Sequence, residues 1–384
     1  MITSGIFLKN FQIKEKTSAI KKNLKNLFSE NNNVIQSLNK NYKDNFKKKK
    51  LKIFNKIKDV RLIGMGGSSL GAQAIYSFLK FKIKKNFLFQ DNLRNNSKIY
   101  EKKKYLNLVI SKSGNTTETI INANIFIKKK DKNIFITENK KNYLLRLGEK
   151  LKAEIIHHNN FIGGRYSVLS EVGMLPAELM GLNPKNFRQL NNVIKNKKYL
   201  NALISSVSSS IYFFKKKKFN SIIINYDKPS ENLFLWYQQL VAESLGKDKK
   251  GFLPIISNMP KDNHSLMQIY LDGVRNNFFT FFYVHEKNSL KINKNDILSS
   301  HSYLKNKSIK DIIFAQKKAT ENIFNKKNIP FRTFEIKKRD EKTLGELFCF
   351  FILETILIGR SLKINPYNQP AVELIKKETK NILI

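Results

Sequence analysis

The chain has 384 residues, of which 41% are apolar and 26% charged, and its formal net charge is +41. That length fits about two domains of ordinary size, and that apolar share excludes an intrinsically disordered chain. A single cysteine, Cys349, excludes an intrachain disulfide or a cysteine-built metal cluster and points to a reducing cytoplasm.

The positive charge raises the question of nucleic acid, because phosphate neutralisation dominates such binding. Here it is carried by lysine, spread through runs such as Lys47–Lys50 and Lys215–Lys218, while arginine, which reads phosphates and guanines bidentately, is scarce. No specific nucleic-acid partner is expected, only weak salt-sensitive attraction to polyanions. The N-terminus has no positive region followed by a long apolar stretch, so no secretory signal is expected. Leu344–Gly359 is the longest apolar run, but Glu346 and Glu354 interrupt it and it falls short of the ~20 residues a spanning helix needs. It reads as a buried core helix, and no membrane partner is expected.

Residues 1–45 read as an N-terminal helical segment. From about residue 60, short apolar runs alternate with helical patterns: strand Val60–Gly64, helix Ala72–Lys80, strands Phe87–Phe89 and Leu106–Ile110, helix Thr117–Lys128 and strand Asn133–Thr137. Residues 181–215 are helical in pattern and read as a crossover. A second series follows: strand Ser221–Tyr226, helix Asn232–Leu245, strand Phe252–Ile256, helix Ser265–Leu271 and strand Phe278–Val284. Helix Asp311–Phe324, strand Phe331–Ile336 and two C-terminal helices complete it. Such alternation predicts an α/β fold of two doubly wound, mainly parallel sheets flanked by helices. The expected halves are residues 46–180 and 216–363, with a last helix in 364–384 completing an active site.

Several loops carry chemistry. Gly64–Gly71 follows a strand and opens a helix, where backbone N–H groups and the helix dipole favour an anion. It is neither a dinucleotide fingerprint, because Ser69 stands at the third glycine, nor a P-loop, because no Lys-Ser/Thr pair follows. Ser111–Thr119 also ends a strand, and its clustered hydroxyls and amides, with Lys112, suit a phosphate; helix capping by Thr116 with Glu118 is the plain alternative. Two such loops at carboxyl strand ends favour one phosphorylated ligand, for which a sugar phosphate suffices.

Gly163–Gly164–Arg165 holds a rare arginine in a glycine turn, as a fork for an anion or for charge that develops during a reaction; a loop salt bridge fits the same pattern. Glu243, near the end of an apolar helix, suits a general base or a plain cap beside Lys247. His264, at a helix start, suits an acid/base group or a polar cap. Gln369 and Pro370 precede a helix carrying Lys376. These residues define a two-domain phosphosugar-binding protein and leave its reaction open.

Taken in order over residues 60–380, these segments resemble the glucose-6-phosphate isomerase family, in its shorter bacterial form. The resemblance implies two sugar-isomerase (SIS) domains, interconversion of glucose 6-phosphate and fructose 6-phosphate, and no metal or organic cofactor. It implies phosphate contacts from Gly67, Ser68, Ser111, Lys112, Ser113 and Thr116, a base in Glu243 and an arginine, Arg165, beside a cis-enediol. It also implies ring opening by His264 and Lys376, a sugar contact from Gln369, and a homodimer in which His264 crosses to the neighbouring subunit. A related isomerase accepting mannose 6-phosphate, or a non-catalytic SIS-type sensor, would share the phosphate loops. The chain departs from the family pattern at Ala371, Glu171 and Leu245, and Glu171 is placed to compete for Arg165.

Overall fold

Residues 1–13, 16–94, 104–128 and 131–384 are described by a computed structural model. Their strands are, in chain order, β1 (Ile6–Lys9), β2 (Asp59–Ile63), β3 (Asn86–Gln90), β4 (Leu106–Ile110), β5 (Lys132–Glu138), β6 (Glu154–His158), β7 (Asn220–Asn225), β8 (Leu253–Asn258), β9 (Asn277–Val284) and β10 (Phe331–Ile336). They form two five-stranded sheets, ordered β3-β2-β4-β5-β6 and β1-β10-β9-β7-β8. Every pair is parallel except β1 with β10.

The burial pattern explains the parallel arrangement. All five residues of β4 and all eight of β9 are buried, so these strands are covered on both faces and are mostly apolar, with Asn107, Asn277 and Thr280 as the polar exceptions. Crossover helices supply the cover, including Leu70–Phe78 and Thr117–Phe126 for the first sheet and Glu231–Leu245 and Ile309–Lys326 for the second. The parallel part of each sheet starts in its interior: β2 is flanked by β3 and β4, and β7 by β8 and β9. The direction of winding therefore reverses twice in the molecule, once between β2 and β4 and once between β7 and β9.

The apolar run at 344–359 forms the middle of helix Glu341–Ser361, and every residue from Thr343 to Gly359 is buried. Its two carboxylates are compensated. Glu354 meets the Arg332 guanidinium, with Oε2 3.1 Å from Nη2, and Glu346 accepts from Thr3 Oγ1 at 2.6 Å. Without such partners a buried carboxylate would strongly oppose folding. Burial pushes the Glu346 carboxyl above its ordinary range, and pushes the buried Cys349 thiol up to about 12.

Two strands depart from expectation. Ile6–Lys9 lies inside the segment read as helical, yet it pairs antiparallel with β10 and only Ser18–Ser29 forms a long helix nearby. A four-residue apolar run carries no period of its own, and the open edge of β10 decides its conformation. Glu154–His158, not expected as a strand, closes the other sheet beside β5. No helix among the described residues is long and apolar enough to cross a membrane.

Candidate active site

Two polar loops leave β2 and β4 at their carboxyl ends, where the first sheet reverses its winding. Open parallel sheets bind ligands in the crevice at such a reversal, because neighbouring loops diverge there and their N–H groups face outward. In the β4 loop, Gly114 takes φ +65°, and a Cβ on it would fall 1.9 Å from Asn142 Oδ1. Only glycine fits that turn, which leaves Ser113 exposed and Lys112 half-buried. Burial pushes the Lys112 ammonium down, against the opposing charge of Glu138. Thr116 is the N-cap of helix Thr117–Phe126 but makes no cap hydrogen bond; its Oγ1 instead lies 2.9 Å from Ser111 Oγ. Helix capping thus does not account for these hydroxyls.

The β2 loop joins this crevice to the glycine-arginine turn. A Cβ on Gly67 would stand 2.2 Å from the carbonyl carbon of Gly164, so the two turns touch backbone to backbone. Ser68 beside it is partly exposed. The other flank of the turn meets Gln239 of helix Glu231–Leu245, whose Nε2 is 2.7 Å from the Cβ position of Gly66.

Arg165 is buried to a side-chain exposure of 1%. Its Nε donates to Ser244 Oγ at 2.8 Å, Nη1 to Glu243 Oε2 at 3.3 Å and Gln369 Oε1 at 2.5 Å, and Nη2 to the carbonyls of Pro366 at 2.7 Å and Asn368 at 3.1 Å. All five donors of the fork are engaged. Tyr166 Oη donates to the Pro366 carbonyl at 2.9 Å, so the 2.8 Å contact with Ser244 Oγ runs from serine to tyrosine. Burial pushes the Tyr166 phenol up to about 12, which keeps it a donor. Arg165 therefore pins residues 366–369 against the Glu243 helix.

Glu243 is 24% exposed at the side chain and accepts from Arg165 on Oε2 and from Gln239 Nε2 on Oε1 at 2.9 Å. Gln239 Oε1 is buried with no protein partner, leaving an acceptor next to the carboxylate. Lys247 donates to the Glu243 carbonyl at 3.1 Å and the Asn368 carbonyl at 2.7 Å. Burial, reinforced by the charge of Arg165, lowers its ammonium to about 8.

The expected competition from Glu171 does not occur. Its carboxylate accepts from Tyr42 Oη and the Asn45 N–H, both at 3.2 Å, and lies 3.3 Å from His158 Nδ1. Burial opposes its ionisation, but the hydrogen bonds from His158 and the backbone outweigh that and hold the carboxyl below its ordinary range. Ala371 opens helix Ala371–Leu383 and is not among the described residues of positive φ, so the methyl needs no strained backbone. Leu245 is fully buried in the core.

Within one chain the structure brings together Arg165, Glu243, Gln369 and the Gly67–Ser68 turn, with Ser111, Lys112, Ser113 and Thr116 on the neighbouring strand end. It does not bring His264 or Lys376 to them. His264 is exposed in the turn Lys261–His264 after β8, and Lys376 is exposed and paired with Glu373 at 2.7 Å. Of the segment expected to complete the site, the loop residues Pro366, Asn368 and Gln369 contact Arg165, whereas the helix that follows does not. Sequence reading missed Ser244, Tyr166 and the two carbonyls that cage Arg165. It also missed Gln239, although its place four residues before Glu243 puts both on one helix face. No cluster of three or more His, Cys, Asp or Glu side chains among the described residues is arranged to hold a metal ion.

A partly exposed carboxylate held by an amide and a guanidinium can take and return a proton, and the guanidinium can face the oxyanion formed. Comparisons with known proteins give the family and the fold. The family model for phosphoglucose isomerase matches residues 12–384. The chain is 34% identical over 353 residues to the glucose-6-phosphate isomerase of Methanocaldococcus jannaschii, with 85% of each chain covered. In fold it is similar to a hypothetical protein from Thermus thermophilus, with a TM-score of 0.83 at 20% identity over 96% of this chain and 94% of that one. A glucose-6-phosphate isomerase from Chlamydia trachomatis gives a TM-score of 0.67 at 18% identity, over 98% of this chain and 76% of that one.

Proposed function

The chain belongs to the phosphoglucose isomerase family, and from that membership we propose that it interconverts D-glucose 6-phosphate and D-fructose 6-phosphate. The observation that carries the reading is the 3.3 Å contact between Arg165 Nη1 and Glu243 Oε2 beside the crevice where the phosphate-type loops meet. Residues 46–180 and 216–363 are, in this reading, the two SIS-type domains.

The loops of β2 and β4, through Ser68, Ser111, Lys112, Ser113 and Thr116, hold the phosphate away from the reacting carbons. Binding energy gained there orients the open sugar and offsets desolvation of Glu243. Glu243 removes the proton next to the carbonyl and returns it to the adjacent carbon. Arg165 stabilises the oxygen on which negative charge builds. Because its five donors are engaged in the free chain, the substrate gains the fork by exchange with Glu243 or Gln369. Gln369 and Gln239 supply amides for the hydroxyls.

His264 and Lys376 act in ring opening, with His264 supplied by the second subunit of a homodimer. Supporting this, helix Ala371–Leu383 has no buried residue and exposes Leu374, Ile375 and Ile382, an apolar surface suited to a second copy. We infer a cytoplasmic location, which the substrate class and the single, buried cysteine support.

The test is turnover of fructose 6-phosphate and glucose 6-phosphate in chelator-treated buffer, with mannose 6-phosphate as a competing substrate. Absence of turnover by folded protein overturns the enzyme reading. Mixing His264→Ala with Glu243→Gln protein should restore part of the activity if sites are shared between subunits. No restoration, with subunit exchange verified, removes the shared site but leaves the reaction standing.

A further inference from the structure

The second reversal of winding, between β7 and β9, also has a crevice. Its walls are the segments after β7, β9 and β10: Pro229, His285–Asn288 and Lys337–Asp340. With the far end of helix Leu70–Phe78 and the turn Lys80–Lys82, they line an open cavity of about 1090 Å³. None of the residues placed in the catalytic crevice lines it. This cavity therefore occupies, in the second sheet, the position that the phosphate-type loops occupy in the first.

Its chemistry is that of an anion site. Seven lysine or arginine side chains line it against three carboxylates. Some of the lysines are paired, Lys82 with Glu341 at 2.7 Å, Lys338 with Asp340 at 3.1 Å and Lys337 with Glu335 at 3.0 Å, while Lys80 and Lys287 are exposed. In so basic a chain, lysines alone would mean little. Arg339 is different. Its side chain is 9% exposed, its guanidinium stacks 4.7 Å from the Phe78 ring, and its Nη2 donates to Asp227 Oδ1 at 2.7 Å and to Glu286. Its Nη1 is buried with no hydrogen-bond partner. Nη1 is covered and does not face the cavity, so what Arg339 contributes is a fixed positive group in the wall rather than a free donor.

We propose that this crevice is a second binding site, for a small molecule carrying two or more phosphate groups. The volume of about 1090 Å³ exceeds the needs of a single phosphate and stands just above the ~300–1,000 Å³ of ordinary small-molecule pockets. The excess of positive side chains calls for a ligand with several negative charges.

The experiment is a metal-free titration with pyrophosphate and, separately, with ATP. The catalytic crevice is filled beforehand by an equilibrated excess of glucose 6-phosphate and fructose 6-phosphate. One saturable site per chain is expected. The exposed pair Lys80→Glu/Lys287→Glu should weaken it by at least about 10-fold, while Lys80→Arg/Lys287→Arg retains it and kcat/KM stays within about twofold in both. The remote pair Lys215→Glu/Lys216→Glu, of equal charge change, should leave the affinity within about twofold. Equal affinities for pyrophosphate and ATP assign recognition to the phosphates; tighter ATP binding adds the base, beside the exposed Phe81 ring. No saturable binding with the sugar phosphates present, or equal weakening by the remote pair, overturns the proposal. Turnover measured alongside reports separately on the catalytic reading.

Discussion

Replacing Gly67 by alanine tests whether contact between the two glycine turns sets the catalytic geometry. The added Cβ would stand 2.2 Å from the carbonyl carbon of Gly164, 2.3 Å from its oxygen and 2.7 Å from the Arg165 nitrogen. Ordinary contact begins at 3.4 Å, and all three atoms are backbone, so no rotamer change relieves the overlap. The turns must part by about 1 Å, which displaces Arg165 from Glu243 or Ser68 from the substrate. A shift of about 1 Å at a reacting group costs on the order of 100-fold in rate, and overpacking a filled site costs about 1–3 kcal/mol of stability. Gly67→Ala should therefore lose about 100-fold in kcat/KM, read by coupling glucose 6-phosphate formation to its dehydrogenase, with a lowered urea midpoint. Gly163→Ala is the control: its φ is −69°, and its Cβ would meet nothing nearer than Tyr166 Cδ2 at 3.9 Å. If Gly67→Ala keeps nearly full activity, or Gly163→Ala loses as much, the contact does not set the geometry.

Glu243→Gln should still bind fructose 6-phosphate but lose about 100- to 10,000-fold in kcat; normal turnover would remove Glu243 as the base. Arg165→Lys keeps the charge but gives up the fork that holds Pro366 and Asn368. Faster hydrogen exchange in residues 365–369 should accompany a fall of about 100-fold in kcat, and unchanged exchange would contradict the pinning role. Burial raises the Glu335 carboxyl, but hydrogen bonds from Lys317, His285 and Lys337 outweigh it and leave it at about 2, below the ordinary 4.5. A depressed carboxylate stabilises the fold above its unfolded pKa and loses that contribution as pH falls from 4.5 toward 2. The gap in urea midpoint between the parent and Glu335→Gln should close over that window; a constant gap would refute it. Lys247 has the opposite sign. Its ammonium is lowered from 10.5 to about 8, so between those values the unfolded chain holds a proton that the folded chain has lost. Stability of the parent relative to Lys247→Met should rise with pH across that interval, and a flat difference would show that Lys247 is not perturbed.

The parts of the fold that could be read from the sequence were those with a local signal. Strands such as Leu106–Ile110, apolar but for Asn107, and Phe331–Ile336, where apolar residues are interspersed with Arg332, Thr333 and Glu335, form at the bounds read for them. β1 could not be read in this way, because Ile6–Lys9 is a strand only by virtue of the edge that β10 offers it. The partners of Glu346 and Glu354 were equally hidden: Thr3 and Arg332 reach them across the fold. Glu171, six residues after Arg165, looked like its competitor. Proximity in sequence misled there, since the glutamate turns toward His158, Tyr42 and Asn45.

By itself the sequence determined the element order apart from β1 and β6, the polar loops at strand ends and the residue types from which a proton-transfer site can be built. Those depend on nearest-neighbour chemistry: hydrophobic runs, glycine turns and helix starts. Only the tertiary structure decided which side chains meet. Arg165, Glu243, Ser244 and Gln369 come from segments up to 204 positions apart, and their hydrogen bonds exist because two glycine turns and one helix pack without side chains between them. The fixed guanidinium of Arg339 and the cavity at the second reversal are likewise products of sheet order, which has no local signature in the chain.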